Sequence, residues 1–349
     1  MFKNRNFATL LSFLILTGSA VIFIGLFTYN YYESKNMLLG NAKENAQNLT
    51  ASSVHEIEKI LLSLTKIPDN MAFVLENSTF SQDKLHLFLR SVVDNNNEVY
   101  GSCIAFEPHA FNKDSVYFAP YYYKTKNSLG YSNLDKDSYQ YVNWDWYKLP
   151  KQLGRSVWSE PYYDEGGGNI MMATYSVPFF QTINGQKQIK GIVTIDISLS
   201  WLKNIVSSIK LFESGYAFLI SKNGKFITYP QEEYILNKSI FSIARDQSSE
   251  TLSEIGENMI QGKSGFAPVE DGVFETKSWV FYNPLPLTSW SMAVVFSEDE
   301  LFADIYRLYW AIALIGISGL LILFIIAFQV SRSITGPLKD LVHETDRIA

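Results

Sequence analysis

The chain has 349 residues, a formal net charge of −6, 47% hydrophobic residues and a single cysteine, Cys103. Nucleic-acid binding is excluded as a main function, because phosphate-binding surfaces need concentrated Lys and Arg and no basic cluster occurs in the sequence. One cysteine cannot form a disulfide within the chain, and Cys103 in the apolar run YGSCIAF is expected to be a small buried hydrophobe.

Two apolar stretches without charged residues stand near the two ends, at residues 7–32 and 308–331. Each is longer than the roughly 20 helical residues that cross a hydrocarbon core about 30 Å thick. We therefore predict two transmembrane helices. The first is expected to be a retained anchor, because its apolar run exceeds the about 7–15 residues of a signal-peptide core.

The basic residues beside the two stretches predict the orientation in the membrane. Short cytoplasmic flanks are enriched in Lys and Arg, and these residues occur in the tails 1–6 and 332–349, as Lys3, Arg5, Arg332, Lys339 and Arg347. We expect both tails in the cytoplasm and residues 33–307 outside it. The chain is thus predicted to be a multi-pass protein of the cell inner (cytoplasmic) membrane.

A long helix is predicted at the start of the outer region, over residues 33–78. Apolar and small side chains recur there at spacings of three and four, which gives one continuous stripe, and Pro68 is a bend or stop near its far end. The residues of the stripe are Ala42, Ala46, Leu49, Ser53, Ile57, Ile60 and Leu64.

Short aromatic and β-branched runs follow, separated by Gly, Pro and Asn, and they predict strands. The segments VYGSCIAFEP, SVYFAPYYYK, ATYSVPFF and GIVTIDISLSWL belong to a first module, residues 79–205. A second module, residues 206–300, contains a hairpin turn at Asn223–Gly224, a helix over about 248–261 and two closing strands. The predicted fold class is α+β, with two modules in tandem. The dense Tyr and Trp of residues 117–175 fit either a β-sheet core or a ligand pocket.

No motif of catalysis or metal binding is found. The four histidines form no ligand-spaced pair, and Gly262–Lys263–Ser264 lacks the glycine spacing and the preceding strand of a phosphate-binding loop. We therefore expect neither an enzyme in this region nor a cofactor or metal.

The outer region, residues 33–300, resembles the double Cache (dCache) sensor family, the extracytoplasmic ligand-binding domains of bacterial receptors. The resemblance rests on the order of the long helix, YGSCIAFEPHAF, YFAPYYYK, the segment from Trp144 to Asp164, GIVTIDISLSWL, SGYAFLISKNGKFITYP and NPLPLTSWSMAVVF. It implies two tandem PAS-like modules, with a small-molecule site in the module farther from the membrane.

The resemblance also implies which residues bind the ligand. Amino-acid-binding members carry Arg-x-Trp-Tyr, then Tyr-x-Asp, then an Asp on a later strand. Here Trp146 and Tyr147, Tyr162 and Asp164, and Asp196 match, whereas Trp144 stands where the family has Arg. The aspartates would attract an ammonium group and the aromatic faces would add cation–π attraction, but the clamp for an α-carboxylate is missing. An amine, an amino acid or another small molecule stays open, and Asp164 as a simple cap of the glycine turn is the alternative. The full set of predicted ligand-binding residues is Tyr121, Trp144, Trp146, Tyr147, Tyr162, Asp164, Tyr175 and Asp196.

The segment 332–349 resembles the start of a HAMP linker. Ile334, Leu338, Leu341 and Ile348 follow a heptad spacing, which predicts a homodimeric coiled coil. The implied function is a transmembrane receptor whose output is a chemotaxis, histidine kinase, diguanylate cyclase or PPM-type phosphatase domain, beyond this input half. The segment WSEPYYDEGGGN resembles receptors with a kinase, cyclase or phosphatase output more than chemotaxis receptors. The other possibility is a protein that has no output domain. The alternative function is a membrane-anchored protein-interaction scaffold without a small-molecule ligand.

Overall fold

The computed structural model describes residues 7–112, 115–136, 138–270, 274 and 276–348, with side chains excluded at 7–9, 11–12, 331–332 and 334–348. The predicted cytoplasmic tail 1–6 lies outside the described residues, and so do the side chains of the predicted heptad stripe. The chain forms two compact units, Met1–Glu44 with Asp299–Ala349, and Asn45–Glu298.

Helices open and close the chain and alternate with strands between those ends. The helices are α1 (Phe7–Asn77), α2 (Gln82–Asn95), α3 (Asp145–Leu153), α4 (Leu199–Val206), α5 (Ile240–Asp246), α6 (Glu250–Ile260) and α7 (Glu298–Ile348), with short 3-10 helices at Tyr141–Asn143 and Glu232–Tyr234. The strands are β1 (Gly101–Phe106), β2 (Pro120–Lys124), β3 (Leu129–Asn133), β4 (Val157–Trp158), β5 (Tyr162–Tyr163), β6 (Met171–Ile183), β7 (Gln186–Ser198), β8 (Tyr216–Ile220), β9 (Phe226–Thr228), β10 (Gly265–Val269), β11 (Ser278–Leu285) and β12 (Trp290–Ser297).

Helix α1 contains both the first apolar stretch and the predicted stalk helix. Pro68 lies inside it without ending it, since the helix runs on to Asn77. The predicted stripe is largely buried, with Ala42, Ala46 and Ile57 at 2% exposure or less. Tertiary packing of this stripe holds the helix through Pro68, although the proline removes one backbone hydrogen bond.

The first sheet has seven antiparallel strands in the order β3-β2-β1-β7-β6-β4, with β5 also paired to β6. Its longest pair is the hairpin of β6 and β7, which are connected by Asn184 and Gly185, both at positive φ (51° and 80°). Positive φ at both central residues is the backbone of the tight turn that suits twisted strands. The strand predicted over GIVTIDISLSWL ends earlier than expected, at Ser198, because Leu199 begins helix α4.

The second sheet has five antiparallel strands in the order β10-β11-β12-β8-β9. The predicted hairpin at Asn223–Gly224 is confirmed, since β8 pairs with β9 across this turn and Gly224 has φ 76°. The predicted helix near 248–261 is confirmed as α6, which begins after Ser249, whose side chain accepts a hydrogen bond from the Leu252 amide.

The unit formed by the chain's two ends consists of parts of α1 and α7. Both helices contain a segment long and apolar enough to cross a membrane, by length and composition. They touch through Tyr309, whose ring packs edge-on against Phe27 and Tyr31, each at a centroid distance of 5.2 Å, and whose hydroxyl lies 3.1 Å from Ser34 Oγ. Farther along α7, Gly316 lies directly against the Phe23 ring. A glycine at this point lets the two helices approach closely.

We predict that Gly316→Leu destabilises the helix pair, because any Cβ at this position would collide with the Phe23 ring. Overpacking of this kind costs about 1–3 kcal/mol. Gly319→Leu is the matched control, since a Cβ there meets nothing within 4 Å. Thermal unfolding of both variants in detergent checks the prediction, and equal losses of stability would contradict it.

Candidate ligand site

A cluster of acidic and hydroxyl side chains lies on the β6–β7 hairpin of the first sheet. Asp196 on β7 is paired directly with Thr174 on β6, so both side chains point to the same face. Thr174 Oγ1 donates to Asp196 Oδ1 at 2.7 Å, and the Tyr162 hydroxyl lies 2.8 Å from Thr174 Oγ1. Asp196 and Thr174 are 3% and 1% exposed, so the carboxylate is removed from bulk water.

Asp164 lies at the start of a glycine turn and faces the same cluster. Its Oδ1 accepts a hydrogen bond from the Tyr139 hydroxyl and its Oδ2 accepts one from the Gly168 amide, both at 2.5 Å. A Cβ at Gly167 would collide with this carboxylate, so the turn needs glycine there. The Trp146 Nε1 donates to the Tyr139 hydroxyl at 3.3 Å. The alternative role of Asp164 as a turn cap therefore holds, and the same side chain also lines the cavity.

These side chains enclose a cavity of about 10 Å³, which is space for about one water molecule. Its lining residues are Cys103, Tyr121, Leu134, Tyr139, Trp146, Tyr162, Asp164, Met172, Thr194 and Asp196. The Tyr121 hydroxyl is buried and forms no well-oriented hydrogen bond with any group that the structure describes. The cavity is therefore lined by polar and aromatic groups around a very small space.

Burial dominates the electrostatics of the site. Burial raises the pKa of Asp196 to about 7, and the negative charge of Asp164 raises it further. The hydrogen bond from Thr174 and the nearby Tyr121 hydroxyl lower this pKa, but by less than burial raises it. Burial also raises the pKa of Asp164, against the hydrogen bonds from Tyr139 and Gly168. Among the ion pairs of the described residues, none involves either aspartate. Two buried carboxyl groups thus lie close together, and neither forms an ion pair with a basic side chain that the structure describes.

The structure brings five of the eight predicted ligand-binding residues to this cavity, namely Tyr121, Trp146, Tyr162, Asp164 and Asp196. Trp144 does not line it but packs behind two of its walls. Its ring stacks on Tyr139 at 5.0 Å and lies 5.4 Å from Tyr162, and its Nε1 donates to the Tyr139 carbonyl. Trp144, which stands where the resembled family has Arg, therefore supports Tyr139 by stacking on its ring.

The placements of Tyr147 and Tyr175 differ from the prediction. The Tyr147 hydroxyl donates to Glu107 Oε1 at 2.6 Å, because neighbouring residues of helix α3 point in directions about 100° apart and only Trp146 reaches the cavity. Tyr175 follows Thr174 on β6 and so points to the opposite face, where it packs on Trp158 at 5.2 Å.

Three further residues of the site were not predicted from the sequence: Tyr139 and Thr194, which line the cavity, and Thr174, which bonds to Asp196. Thr174 and Thr194 could have been found by alternation, since Thr194 precedes Asp196 by two residues on β7 and Thr174 pairs with Asp196. Tyr139 gives no such signal, because it lies in an irregular segment between β3 and α3. No periodicity indicates where such a residue points.

Residues 85–204 match the protein family described as "Methyl-accepting chemotaxis protein-like, first PDC sensor domain". This segment contains the whole cavity lining. The segment is thus similar to sensor domains of the PDC type.

Curated relatives extend the similarity over the full chain. The methyl-accepting chemotaxis proteins McpC and McpA of Bacillus subtilis (strain 168) are each 24% identical to it over 100% of this chain and 48% of their own length. The chain thus spans about half the length of these relatives. They are chemotaxis receptors, that is, sensor proteins rather than enzymes.

Solved structures show the same fold. The extracellular domain of the putative histidine kinase mmHK1S-Z3 matches with a TM-score of 0.66 and 23% identity, over 78% of this chain and 98% of that one. The ligand-binding domain of the Pseudomonas aeruginosa PAO1 amino acid chemoreceptor PctB in complex with L-Arg matches with a TM-score of 0.55 and 19% identity, over 75% and 97%. The mixed fold with a long N-terminal helix and curled antiparallel sheets is therefore that of PDC/Cache sensor domains.

We predict that Asp196→Asn removes a pH-dependent part of the stability. The pKa of Asp196 is about 7 in the fold against 3.8 for the ordinary side chain, so the folded state binds the proton more tightly. The stability that this tighter proton binding contributes is fully present below about pH 4 and is lost as pH rises through about 7. Over this range the free energy of unfolding falls by up to about 1.4 kcal/mol per pH unit.

Urea unfolding of the wild type and of Asp196→Asn between pH 4.5 and 8 measures this difference. The wild type should lose stability relative to the variant as pH rises. The exposed Asp83→Asn in the first turn of α2 is the control and should run parallel to the wild type. Parallel curves for all three proteins would show that Asp196 is not a buried titrating group.

Proposed function

We propose that the chain is the input region of a transmembrane signal receptor that detects a small molecule carrying an ammonium group. Residues 33–307 lie outside the inner (cytoplasmic) membrane and 7–32 and 308–331 cross it. The sensor domain 33–300 comprises the stalk helix 33–78, a membrane-distal module 79–205 and a membrane-proximal module 206–300. The distal module binds the ligand.

The observation that carries the proposal is the pair of buried carboxyl groups without a cation. Burying a charge is costly unless an opposite charge compensates it, and here burial has raised the pKa values of Asp164 and Asp196. An ammonium ion between them would supply the missing charge. The rings of Trp146 and Tyr162 in the same lining would add cation–π attraction of about 0.5–2 kcal/mol.

The chemistry of the site favours an amine over an amino acid. No Lys or Arg is among the lining residues, so a ligand carboxylate would be buried without a partner. PctB was solved with L-Arg. With Trp144 at the family's Arg position, this chain lacks the guanidinium that would clamp an α-carboxylate. An amine, or an amino acid whose carboxylate stays outside the cavity, is the best match.

Ligand binding requires the cavity to open, since about 10 Å³ holds no amine. The parts with least regular structure around it are the glycine turn after Asp164 and the segment carrying Tyr139. A cation that draws Asp164 toward itself would compete with the Tyr139 and Gly168 hydrogen bonds. Binding would thus exchange one arrangement of the turn for another, as a two-state sensor needs.

Signalling follows from the connection of the sensor to its two long helices. Helix α7 starts at Glu298, directly after β12, and continues through the second apolar segment, so a change in the sensor reaches the cytoplasm through this helix. We propose that residues 332–349 begin a HAMP linker, that the protein is a homodimer through this segment, and that the natural output lies in a cytoplasmic domain. The relatives favour chemotaxis signalling, and the solved structures also include putative histidine kinases.

A membrane-anchored scaffold that binds another protein is the second candidate. The small volume of the distal cavity favours it, because a filled module has no room for a ligand without rearrangement. The two buried carboxyl groups with raised pKa values argue against a purely structural core.

We predict that amines raise the thermal midpoint of the full chain in detergent and that Asp196→Asn weakens their binding at least about tenfold. Primary monoamines, diamines, amino acids and their deaminated carboxylate analogues form the test panel. Binding of the amines should strengthen from pH 5.5 to 8, because the proton on Asp196 competes with the ligand cation below about pH 7.

Asp83→Asn on α2 removes a carboxylate far along the chain from the site and should leave amine binding unchanged. The scaffold would be favoured if no amine or amino acid stabilised the wild type. Equal binding by the wild type and Asp196→Asn would disprove the proposed role of the carboxylate pair.

We predict that a periplasmic reporter inserted between Asn184 and Gly185 is active and that a cytoplasmic reporter fused after Ala349 is active. The insertion point is the exposed two-residue turn of the β6–β7 hairpin, where added residues disturb the fold least. Fusions with the two reporters exchanged should be inactive. Activity of the cytoplasmic reporter at the hairpin would rule out the proposed orientation.

A further inference from the structure

A larger cavity lies in the membrane-proximal module, over the five-stranded sheet. Its volume is about 580 Å³, against about 10 Å³ for the distal cavity. This value is within the range of about 300–1,000 Å³ of small-molecule sites. The larger cavity is therefore big enough for a ligand without rearrangement, unlike the distal one.

The position of the cavity follows from the sheet register. Tyr216 on β8 is paired with Val295 on β12, and Ser297 on β12 with Ser278 on β11, so all four side chains share one face. The same face carries Ser291, whose hydroxyl donates to the Met259 carbonyl of α6. Helix α6 thus packs on this face, and Ile243 of α5 and Gln247 just after it line the cavity.

Aromatic rings form the walls. Tyr229 stacks on Tyr234 at a centroid distance of 5.2 Å and 15°, and Tyr216 stands edge-on to Tyr229 at 5.9 Å and 79°. Phe274 closes the opposite side of Tyr216 at 6.3 Å. Offset-stacked and edge-on arrangements are the geometries in which aromatic rings attract further rings.

The described residues at the mouth are polar and carry no formal charge. The exposed side chains Gln231, Gln247 and Thr276 lie at the opening, where their amides and hydroxyl reach both the cavity and solvent. Every lining residue that the structure describes is formally neutral. A charged ligand would lose hydration on entry without gaining an opposite charge, whereas a neutral ring would lose little.

We propose that this cavity is a second binding site, for an uncharged ring-containing small molecule with a polar edge. The ring stacks between Tyr234 and the opposite aromatic wall, and its polar edge bonds to the amides at the mouth. This site goes beyond the proposed amine sensor and differs from it in ligand charge. The receptor would then respond to two chemical classes through two modules.

Three probes with one ring system and three charges test the proposal, namely indole, the cation tryptamine and the anion indole-3-acetate. Binding to the full chain in nanodiscs is measured by saturation-transfer NMR with titration to millimolar concentration. Indole should bind saturably, and indole-3-acetate at least about tenfold more weakly. Tryptamine carries the ammonium group of the distal ligand and reports on that site.

Gln247→Trp is designed to fill the mouth from an exposed position and should abolish indole binding, while tryptamine binding through the distal aspartates persists. Tyr234→Ala removes the stacked wall and should weaken indole binding without filling the cavity. Glu257→Trp, at an exposed position of α6 outside the lining, is the matched control and should bind indole like the wild type. Thermal midpoints verify that each variant is folded.

Several results would overturn the second site. These are no saturable indole binding to the wild type, indole binding equal in Gln247→Trp and the wild type, equal loss in Gln247→Trp and Glu257→Trp, or indole-3-acetate binding as tightly as indole. Failure of the distal site would appear separately, as tryptamine binding that does not respond to Asp196→Asn.

Discussion

The burial of two carboxyl groups that form no ion pair with a described basic side chain is the constraint on which the site in the first sheet depends. Asp196 is held by Thr174, and Asp164 by Tyr139 and the Gly168 amide. These hydrogen bonds lower the cost of burial but do not remove it, since the pKa values of both groups remain raised. The site therefore keeps free energy that a positively charged ligand could recover, at the expense of opening the cavity.

The cavities of the two modules differ in volume and in the charge of their lining residues. The cavity of about 10 Å³ is acidic and nearly full, so binding there would have to be coupled to a change of shape. The cavity of about 580 Å³ is lined, among the described residues, by neutral and largely aromatic side chains, so binding there would need little change. A ligand can shift a conformational equilibrium only by its difference in affinity for the two states. By this criterion the small acidic cavity is the better input for a signal, and the larger preformed cavity is better suited to a bound molecule that stabilises one state.

Patterns with a clear period could be predicted from the sequence, and side-chain placement in irregular segments could not. The stripe of α1 and the turn at Asn223–Gly224 follow from spacing and turn chemistry, and the strand that carries Asp196 was recognised by its β-branched residues. Tyr175 was placed on the wrong face because the resemblance supplied no register, and a shift of one residue reverses the side of a strand. Tyr139 could not be predicted, because it lies in an irregular segment without the side-chain periodicity of a helix or strand. The volume of the cavity depends on how all these side chains pack, which no local pattern encodes.

The β6–β7 hairpin has a consequence for how the site assembles during folding. Thr174 and Asp196 are far apart in the chain, yet the tight turn at Asn184–Gly185 lets their strands form by zipping outward from that turn. Contacts made in this way involve little loop-closure entropy at each step, so hairpins form early compared with pairings between distant segments. On this basis we expect β1 and helix α3, which carry Cys103 and Trp146, to be added to a strand pair that already holds Asp196. The desolvation of Asp196 would then be completed only when these residues cover it, so folding and ligand entry would both depend on the same covering residues.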